Sequence, residues 1–339
     1  MKEIRTIDAV GHVLCHDLTQ IIPGEYKGAR FRKGHIVTEA DIPVLLSMGK
    51  EHLYVWEMQE GILHENDAAE RLCAITKNDG MTRSAVKEGK IELFAERDGV
   101  FLVDSEKLFA INSIEEITIA TRRGNFPVKK GDKLAGMRVI PLVIDEKKLI
   151  EAEAIAIGTP ILKLLPYTLR TAAIVTTGSE VYSGRIEDKF TPVLVEKLKA
   201  YGIEVVCHET TDDQKTNIIA AIQRARDVKP DLVLCTGGMS VDPDDQTPGA
   251  IRKSGADVVT YGAPVLPGAM LLLGYYDDGT PVLGLPGCVM YAKATVFDLV
   301  LPRIAAGVRL EKKDFIALGE GGLCLGCQPC TFPHCPFGR

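Results

Sequence analysis

Four short polar segments, each following an apolar stretch, hold the residues best suited to chemistry. They are Thr177-Gly178-Ser179-Glu180, Thr210-Thr211-Asp212-Asp213, Thr236-Gly237-Gly238-Met239-Ser240-Val241-Asp242-Pro243-Asp244-Asp245 and Leu285-Pro286-Gly287. Adjacent glycines after a strand let backbone N–H groups approach a phosphate, and Ser240 adds a hydroxyl donor. Clustered carboxylates oppose a bare phosphate, so they imply either bridging Mg²⁺ or a ligand ring rich in hydrogen-bond donors.

Each of these features also has a simpler interpretation. Gly178, Gly237 and Gly238 are also what tight turns require, and Asp212 or Asp213 is also a typical cap for a following helix. The acidic residues between 242 and 245 are also typical of a solvated loop. Their shared position favours the functional interpretation, because all four segments follow predicted strands at their carboxyl ends.

The elements that would position these segments alternate between strand and helix after Leu165. Predicted strands at 172–176, 203–207 and 232–235 enclose two amphipathic helices, one with Phe190, Leu194, Leu198 and Tyr201 on a single face. This alternation predicts an α/β, Rossmann-like domain over residues 166–310, with a mostly parallel sheet and helices on both faces. A hairpin is predicted around Asp277-Asp278-Gly279, and a last helix over 289–306. Ligands of such sheets bind beyond the carboxyl ends of the strands.

The preceding residues predict smaller, β-rich domains. Residues 1–60 predict an α+β segment with a short helix that Thr38 caps and that runs through Met48, followed by a strand over 52–56. Residues 61–165 predict a β-rich module, in which strands 91–96 and 100–104 flank a hairpin turn at Arg97-Asp98-Gly99. We find no chemical constellation in either region.

Composition and motifs exclude several functional classes. The chain of 339 residues has 40 Lys and Arg against 46 Asp and Glu, a net charge of −6, and no basic block, which argues against a nucleic-acid partner. It has no apolar stretch of about 18 residues and no signal-peptide core, so we expect a cytoplasmic protein without a membrane partner. The G-x-G-x-x-G, P-loop and G-x-S-x-G motifs are absent from the sequence.

A pterin suits the four segments better than a dinucleotide does, because the N–H and neighbouring NH₂ of its ring match one carboxylate.

These segments resemble the molybdopterin-binding domain of molybdenum cofactor biosynthesis proteins. The family pattern T-G-D-E followed by G-x-I resembles residues 177–180 and 184–186, and its paired aspartates resemble Asp212-Asp213. Its T-G-G-x-S-V-G-x-x-D resembles residues 236–245, with Asp242 in place of the third glycine. Its P-G-K-P and L-P-G-N-P resemble Pro267-Gly268 and residues 285–287. These five motifs, in order over about 120 residues, resemble a divergent molybdopterin molybdotransferase, and residues 1–60 with parts of 61–165 resemble its elongated non-catalytic domains more weakly.

The resemblance implies a transferase of late cofactor assembly that binds molybdopterin and inserts molybdate or handles adenylylated molybdopterin. In that role Glu180, Asp245 and Asp213 would be catalytic, holding Mg²⁺ or molybdate. The implied cofactor-binding residues are Thr177, Gly178, Ser179, Asp212, Thr236, Gly237, Gly238, Ser240, Asp242, Pro267, Gly268, Pro286 and Gly287. The resemblance further implies a homo-oligomer and a molybdoenzyme as recipient.

Two alternatives stay open at this point. Ala269-Met270 and Cys288-Val289 replace family residues that would contact ligand or phosphate, which favours a non-catalytic molybdopterin carrier or sensor. Nucleotide pyrophosphatases of the competence-damage type share the domain and give an alternative enzyme.

The last residues, 311–339, form what we call the cysteine-rich segment. Cys324, Cys327, Cys330 and Cys335 lie within twelve residues, a spacing that predicts a Zn²⁺ site or an iron–sulfur cluster. The simpler interpretation is a disordered segment with incidental thiols. Because the segment is rich in Gly and Pro, we expect its order to depend on metal–thiolate bonds and its removal to leave the α/β domain folded.

Overall fold

The computed structural model describes residues 2–22, 24–55 and 60–338. Its first part holds short strands and helices, in the order β1 (Lys2–Arg5), β2 (Leu18–Ile22), β3 (Tyr26–Phe31), α1 (Asp41–Ser47), β4 (His52–Val55), β5 (Ile62–His64), α2 (Glu65–Thr76), β6 (Met81–Arg83), β7 (Ile91–Ala95), β8 (Gly99–Val103), α3 (Ser105–Asn112), β9 (Ile117–Thr121), β10 (Phe126–Val128), β11 (Lys133–Val139), β12 (Val143–Asp145), α4 (Glu146–Ala156) and β13 (Leu162–Leu165).

The second part has longer strands alternating with helices. The order is β14 (Thr171–Thr177), α5 (Ser179–Tyr182), α6 (Phe190–Lys199), β15 (Glu204–Thr211), α7 (Lys215–Asp227), β16 (Leu232–Thr236), α8 (Thr247–Lys253), β17 (Asp257–Tyr261), β18 (Leu272–Tyr275), β19 (Pro281–Leu285), α9 (Val296–Ala305) and α10 (Lys312–Ile316). Among the described residues, no helix is both long enough and apolar enough to span a bilayer.

The chain divides into two compact units that are not continuous in sequence. The first contains Met1–Glu96, Val103–Arg122 and Gly131–Lys163, and the second contains Arg97–Leu102, Arg123–Lys130 and Leu164–Arg339. The first unit is built on the antiparallel sheet β6-β7-β11-β9, with the two-stranded pairs β1-β4, β2-β3 and β5-β12.

The structure corrects two local predictions in the first part of the chain. The hairpin around Arg97-Asp98-Gly99 is wrong, because β7 pairs with β6 and β11 while β8 pairs with β10 and β13. The chain changes units at this turn, so the two strands that flank it enter different sheets. Helix α1 spans Asp41–Ser47 with Ala40 as its N-cap, so it is shorter than the predicted helix with Thr38 as cap. The predicted strand over 52–56 is confirmed as far as Val55, and residue 56 lies outside the described residues.

The second unit is built on a six-stranded sheet in the order β15-β14-β16-β19-β18-β17. Ala172, Ala173, Ile174 and Val175 of β14 are inaccessible to solvent, as expected of a strand covered on both faces. One face packs under Phe190, Leu194 and Leu198 of α6, and the other packs under Ile218, Ala221, Ile222 and Ala225 of α7. The predicted helices on both faces are therefore confirmed.

The prediction of a mostly parallel sheet is not confirmed, because this sheet is mixed. Strand β14 runs parallel to β15 and β16, and β16 runs parallel to β19. The predicted hairpin at Asp277-Asp278-Gly279 then makes β18 antiparallel to β19, and β17 pairs antiparallel with β18. The tight turn leaves no crossover helix, which a parallel connection would require.

The cysteine-rich segment packs against this sheet domain. Phe315 is 1% exposed and Phe337 is 2% exposed, and both belong to the same core as α6 and α9. The backbone N–H of Leu266 donates to Gly322 O, and that of Cys324 donates to Leu266 O, both at 2.8 Å. The segment therefore has apolar packing and backbone pairing of its own, contrary to the expectation that its order depends on metal–thiolate bonds.

Candidate functional site

A cleft of about 490 Å³ lies at the carboxyl ends of β16 and β19. Residues from two of the four polar segments meet there, together with apolar side chains. The predicted residues that line it are Gly237, Gly238, Ser240, Asp245, Pro286 and Gly287. The other lining residues are Phe190, Met239, Met270, Leu285, Cys288, Met290 and Tyr291.

Gly237 lies at the floor of the loop that follows β16, with a positive φ of 83°. A Cβ at this position would lie 2.2 Å from the carbonyl oxygen of Thr177 and 2.7 Å from its Oγ1. No side chain fits at that separation, so the close approach of the β14 and β16 ends requires glycine. The bare backbone that this requirement produces is also what a phosphate needs in order to approach N–H groups.

The two aspartates after β15 have different partners. Asp213 accepts a hydrogen bond from the backbone N–H of Ser179 at 2.8 Å, which ties the β15 loop to the β14 loop. Asp212 accepts from the backbone N–H of Gln214 and from Asn217 Nδ2, both at 3.0 Å, and so stabilises the start of α7. The N-cap of α7 is Gln214, so Asp212 orders the turn before the helix without capping it, while Asp213 holds two segments of the site together.

The acidic loop after Ser240 is organised by its own backbone. The N–H of Asp245 donates to the carbonyl of Asp242 at 2.9 Å, and the N–H of Asp242 lies 3.3 Å from Asp245 Oδ2. Tyr261 donates its hydroxyl to Met239 O at 2.8 Å, which anchors the loop to β17. This turn brings the Asp245 carboxylate to the cleft and leaves Asp242 exposed.

Several predicted site residues lie outside the cleft. Thr177 and Thr236 are buried in the sheet, where Thr177 Oγ1 contacts Thr247 Oγ1 at 3.2 Å and Thr236 Oγ1 contacts Thr176 Oγ1 at 3.4 Å. Glu180 and Ser179 are exposed in α5, and Gly268 is packed against Val296. The structure also places outside the lining Gly178, Asp212, Asp213, Asp242 and Pro267.

The sequence reasoning missed a polar network beside this edge of the sheet. Asp188 accepts hydrogen bonds from the backbone N–H groups of Phe190 and Thr191, at 2.8 and 3.0 Å, and from the hydroxyls of Thr191 and Thr176. His208 Nε2 lies 3.0 Å from Thr176 Oγ1 and 3.4 Å from Asp188 Oδ2. Only the position of Asp188, two residues after the G-x-I motif, signals the network in the sequence.

The Asp188 carboxyl has a lowered pKa. Burial alone would raise it, but hydrogen bonds from Thr191, Phe190 and Thr176 favour the charged form more strongly. The pKa of this carboxyl is therefore lower in the folded state than its ordinary value of 3.8 in the unfolded chain. Its charge stabilises the fold fully when the pH is above 3.8, and this contribution is lost as the pH falls through the lower pKa of the folded state.

We therefore expect Asp188→Asn to reduce the free energy of unfolding at pH 7 by about 1–3 kcal/mol, because the side chain is largely buried and loses a charged acceptor. The difference from the wild type should shrink as the pH is lowered from 5 toward 2. Urea unfolding at several pH values measures it, with the exposed Asp257→Asn as control. A difference that stays constant across this range would contradict the role of the charge.

The residues present do not make a metal site by themselves. Within residues 2–22, 24–55 and 60–338, no group of three or more His, Cys, Asp or Glu side chains is arranged to hold an ion. Cys327 and Cys330 are exposed, whereas Cys324 and Cys335 lie partly against the core. Mg²⁺ at the cleft and Zn²⁺ or an iron–sulfur cluster at Cys324, Cys327, Cys330 and Cys335 stay predictions.

Two parts of the chain match known protein families. Residues 173–306 match the family described as a probable molybdopterin binding domain, which confirms the resemblance seen in the motifs. Residues 3–57 match a family described as a domain of unknown function.

Individual proteins are similar over parts of the chain. Molybdopterin molybdenumtransferase from Synechococcus elongatus is 25% identical over 219 residues, which cover 60% of this chain and 51% of that protein. A CinA-like protein from Desulfosudis oleivorans is 36% identical over 83 residues, 24% of this chain and 20% of that protein. The chain thus spans about half the length of the first relative and a fifth of the second.

Among solved structures, the molybdopterin biosynthesis enzyme MoaB from Thermus thermophilus is 23% identical, with a TM-score of 0.36. The match covers 41% of this chain and 98% of that one. The CinA protein from Thermoplasma acidophilum is 19% identical, with a TM-score of 0.35, and the match covers 40% and 98% of the two chains.

Proposed function

We propose that this chain, whose residues 173–306 form a domain of the molybdopterin-binding family, binds molybdopterin in the cleft at the carboxyl ends of β16 and β19. The observation that carries the proposal is the convergence on one cleft of the Gly237-Gly238 turn, Ser240, Asp245 and the Pro286-Gly287 turn. These residues come from two separate motifs of the family pattern.

The lining supplies the groups that a phosphorylated pterin requires. Bare backbone at Gly237 and Gly238, with the hydroxyl of Ser240, suits the phosphate. The carboxylate of Asp245 suits the N–H and NH₂ edge of the pterin ring, which is a bidentate donor. Tyr291, 75% exposed, offers an aromatic surface on which a flat ring can stack.

The finer proposal is an enzymatic step, either molybdate insertion or the handling of adenylylated molybdopterin. It draws support from the similarity to the molybdenumtransferase of Synechococcus elongatus. In this proposal Asp245 binds the ligand directly. Asp213 positions the β14 loop through its hydrogen bond to Ser179, and Glu180 is carried on the exposed start of α5.

A second candidate function is a non-catalytic carrier or sensor of molybdopterin. It is favoured by the cleft wall, where Met270 and Cys288 stand at motif positions at which the family has other residues. Burial raises the pKa of the Cys288 thiol, so this side chain is a neutral, weakly polar group at neutral pH. The similarity to CinA-like proteins keeps a pyrophosphatase of the competence-damage type as the alternative enzyme.

We expect Asp245→Asn to weaken the binding of anaerobically prepared molybdopterin by about 1–3 kcal/mol, because a charged acceptor for the ring is lost. Folding should change little, since the carboxylate has one long contact at 3.3 Å within its own loop. Isothermal titration calorimetry measures the affinity, and the neighbouring exposed Asp244→Asn is the control. Equal affinities for wild type and Asp245→Asn would contradict the assignment.

Turnover separates the enzyme from the carrier. Adenylylated molybdopterin is incubated with molybdate and wild-type protein, and release of adenylate is followed by chromatography. Release that depends on molybdate supports the molybdotransferase, whereas tight binding without release supports the carrier. Release of a nucleotide from an ordinary dinucleotide, without molybdate, would support the pyrophosphatase.

A further inference from the structure

A second cavity, of about 740 Å³, lies at the opposite edge of the six-stranded sheet. It is larger than the cleft at the carboxyl ends of β16 and β19, which we call the pterin cleft, and it contains none of the motif residues. Leu169 lies just before β14, Asp231 just before β16, and Pro281 begins β19, so the cavity is at the amino ends of the parallel strands. We call it the amino-edge cleft.

The acidic residues of the amino-edge cleft are already bound by the protein itself. Asp231 Oδ2 accepts from the backbone N–H groups of Arg170 and Thr171, at 2.7 and 2.9 Å, and from the Thr171 hydroxyl at 3.1 Å. Asp278 accepts from the backbone N–H of Thr280 at 2.9 Å and pairs with Arg226 at 3.2 Å. Burial alone would raise the pKa of the Asp231 carboxyl, but its hydrogen bonds lower it, and the hydrogen bonds from Thr280 lower the pKa of Asp278. Both carboxylates are therefore charged at neutral pH and already hydrogen-bonded within the protein.

The basic residues are not matched in the same way. Arg226 forms an ion pair with Asp278, and its guanidinium carbon lies 3.7 Å from the centroid of the Tyr276 ring. Lys229 and Arg309 also line the cleft, and in the part of the chain that the structure describes neither has an acidic partner. The cleft therefore holds three cations against two anions, and the two cations that have no acidic partner among the described residues are exposed to an incoming ligand.

Arg309 lies over an aromatic ring at the side of the cleft. Its guanidinium carbon lies 4.1 Å from the centroid of the Tyr275 ring, and Tyr275 is fixed because its hydroxyl accepts from the Leu310 N–H at 2.9 Å. A guanidinium stacked by its face keeps its edge N–H donors free for bidentate contact with a carboxylate or phosphate. Leu169, Pro281 and Val308 add apolar walls beside it.

We propose that the amino-edge cleft binds a small organic anion, a carboxylate or phosphate ester carried on an apolar body. The anionic group contacts Arg309 and Lys229, and the apolar body lies against the walls near Leu169 and Val308. Since both cations are partly exposed to water, the affinity falls as ionic strength rises.

The test uses the full-length protein with phenyl phosphate and benzoate as probes. Benzyl alcohol, which has the ring without the charge, and inorganic phosphate, which has the charge without the ring, are the matched comparisons. We expect one of the two aromatic anions to bind at least about tenfold more tightly than either comparison compound, measured by calorimetry at low salt. Amide chemical-shift changes should be centred on Gly279 and Thr280.

Variants locate the binding. Lys229→Asn suits the left-handed backbone at this residue, where φ is 52°, and Arg309→Gln removes the stacked charge. The double variant should raise the dissociation constant at least about tenfold, and Arg309→Lys should have a smaller effect because it keeps charge but not the planar fork. Lys253→Asn, which removes an exposed charge elsewhere, is the control. Urea unfolding of each variant confirms that it is folded.

Three results would overturn the proposal. The first is the absence of saturable binding of either aromatic anion below about 10 mM. The second is binding that persists unchanged in the folded double variant. The third is a set of chemical-shift changes centred on Gly237 and Gly238, which would place the anion in the pterin cleft instead.

Discussion

Gly237→Ala is expected to reduce the free energy of unfolding by about 2–5 kcal/mol. The left-handed backbone costs a non-glycine residue about 1–2 kcal/mol. The new methyl group would also lie 2.2 Å from the Thr177 carbonyl oxygen, and relieving such overpacking typically costs about 1–3 kcal/mol more. Urea unfolding at neutral pH measures the loss.

Gly255→Ala is the matched control for this prediction. Gly255 also has a positive φ, 98°, but a Cβ there would have no atom within 4 Å. The two variants therefore share backbone strain and differ in space, so the excess loss in Gly237→Ala reports the close approach of the β14 and β16 ends. Equal losses in both variants would show that the Thr177 contact is not a constraint.

Phe315→Ala is expected to cost about 3–5 kcal/mol, the range for truncating a buried aromatic residue. Phe315 is 1% exposed and lies one residue after Asp314, whose carboxylate is 3.0 Å from the buried Arg303 guanidinium. Removing the residues after Lys313 would delete both side chains and Phe337 together. We therefore expect that truncation to abolish the cooperative unfolding transition seen by circular dichroism.

Leu325→Ala is the control within the cysteine-rich segment. Leu325 is 71% exposed, and its truncation should change the free energy of unfolding by less than about 0.5 kcal/mol. A truncated chain that keeps a wild-type transition would restore the interpretation of a separable segment. The metal prediction needs its own measurement: elemental analysis of anaerobically purified protein, compared with a Cys327→Ser/Cys330→Ser variant.

The sequence predicted local features well where periodicity is strong. The stripe of Phe190, Leu194 and Leu198 and the apolar stretch before Thr177 correspond to α6 and β14. Such patterns depend on which face of an element is buried, because the buried positions are occupied by apolar residues at a regular spacing in the sequence.

Contacts between elements that are distant in sequence were predicted less well. The turn at Arg97-Asp98-Gly99 has hairpin residues, but its strands enter different sheets: β7 pairs with β6 and β11, and β8 pairs with β10 and β13. The Arg303 side chain is only 4% exposed and forms an ion pair with Asp314. Sequence alone does not predict this burial, because arginine is rarely buried unless it is paired. At the site, the glycines were predicted, whereas Asp188 and His208 were missed because their interaction joins a loop to a strand that pattern reasoning treats separately.

The discontinuous second unit limits how this protein can be cut and recombined. Residues 97–102 and 123–130 belong to the same compact body as residues from 164 onward, and Phe101 within them is inaccessible to solvent. A fragment cloned as 166–310 would lack these strands as well as Phe315 and Phe337. The domain built on the six-stranded sheet therefore cannot be transferred to another chain as residues 166–310 alone, and gene fusions or proteolytic dissection at a single junction would separate parts that fold together.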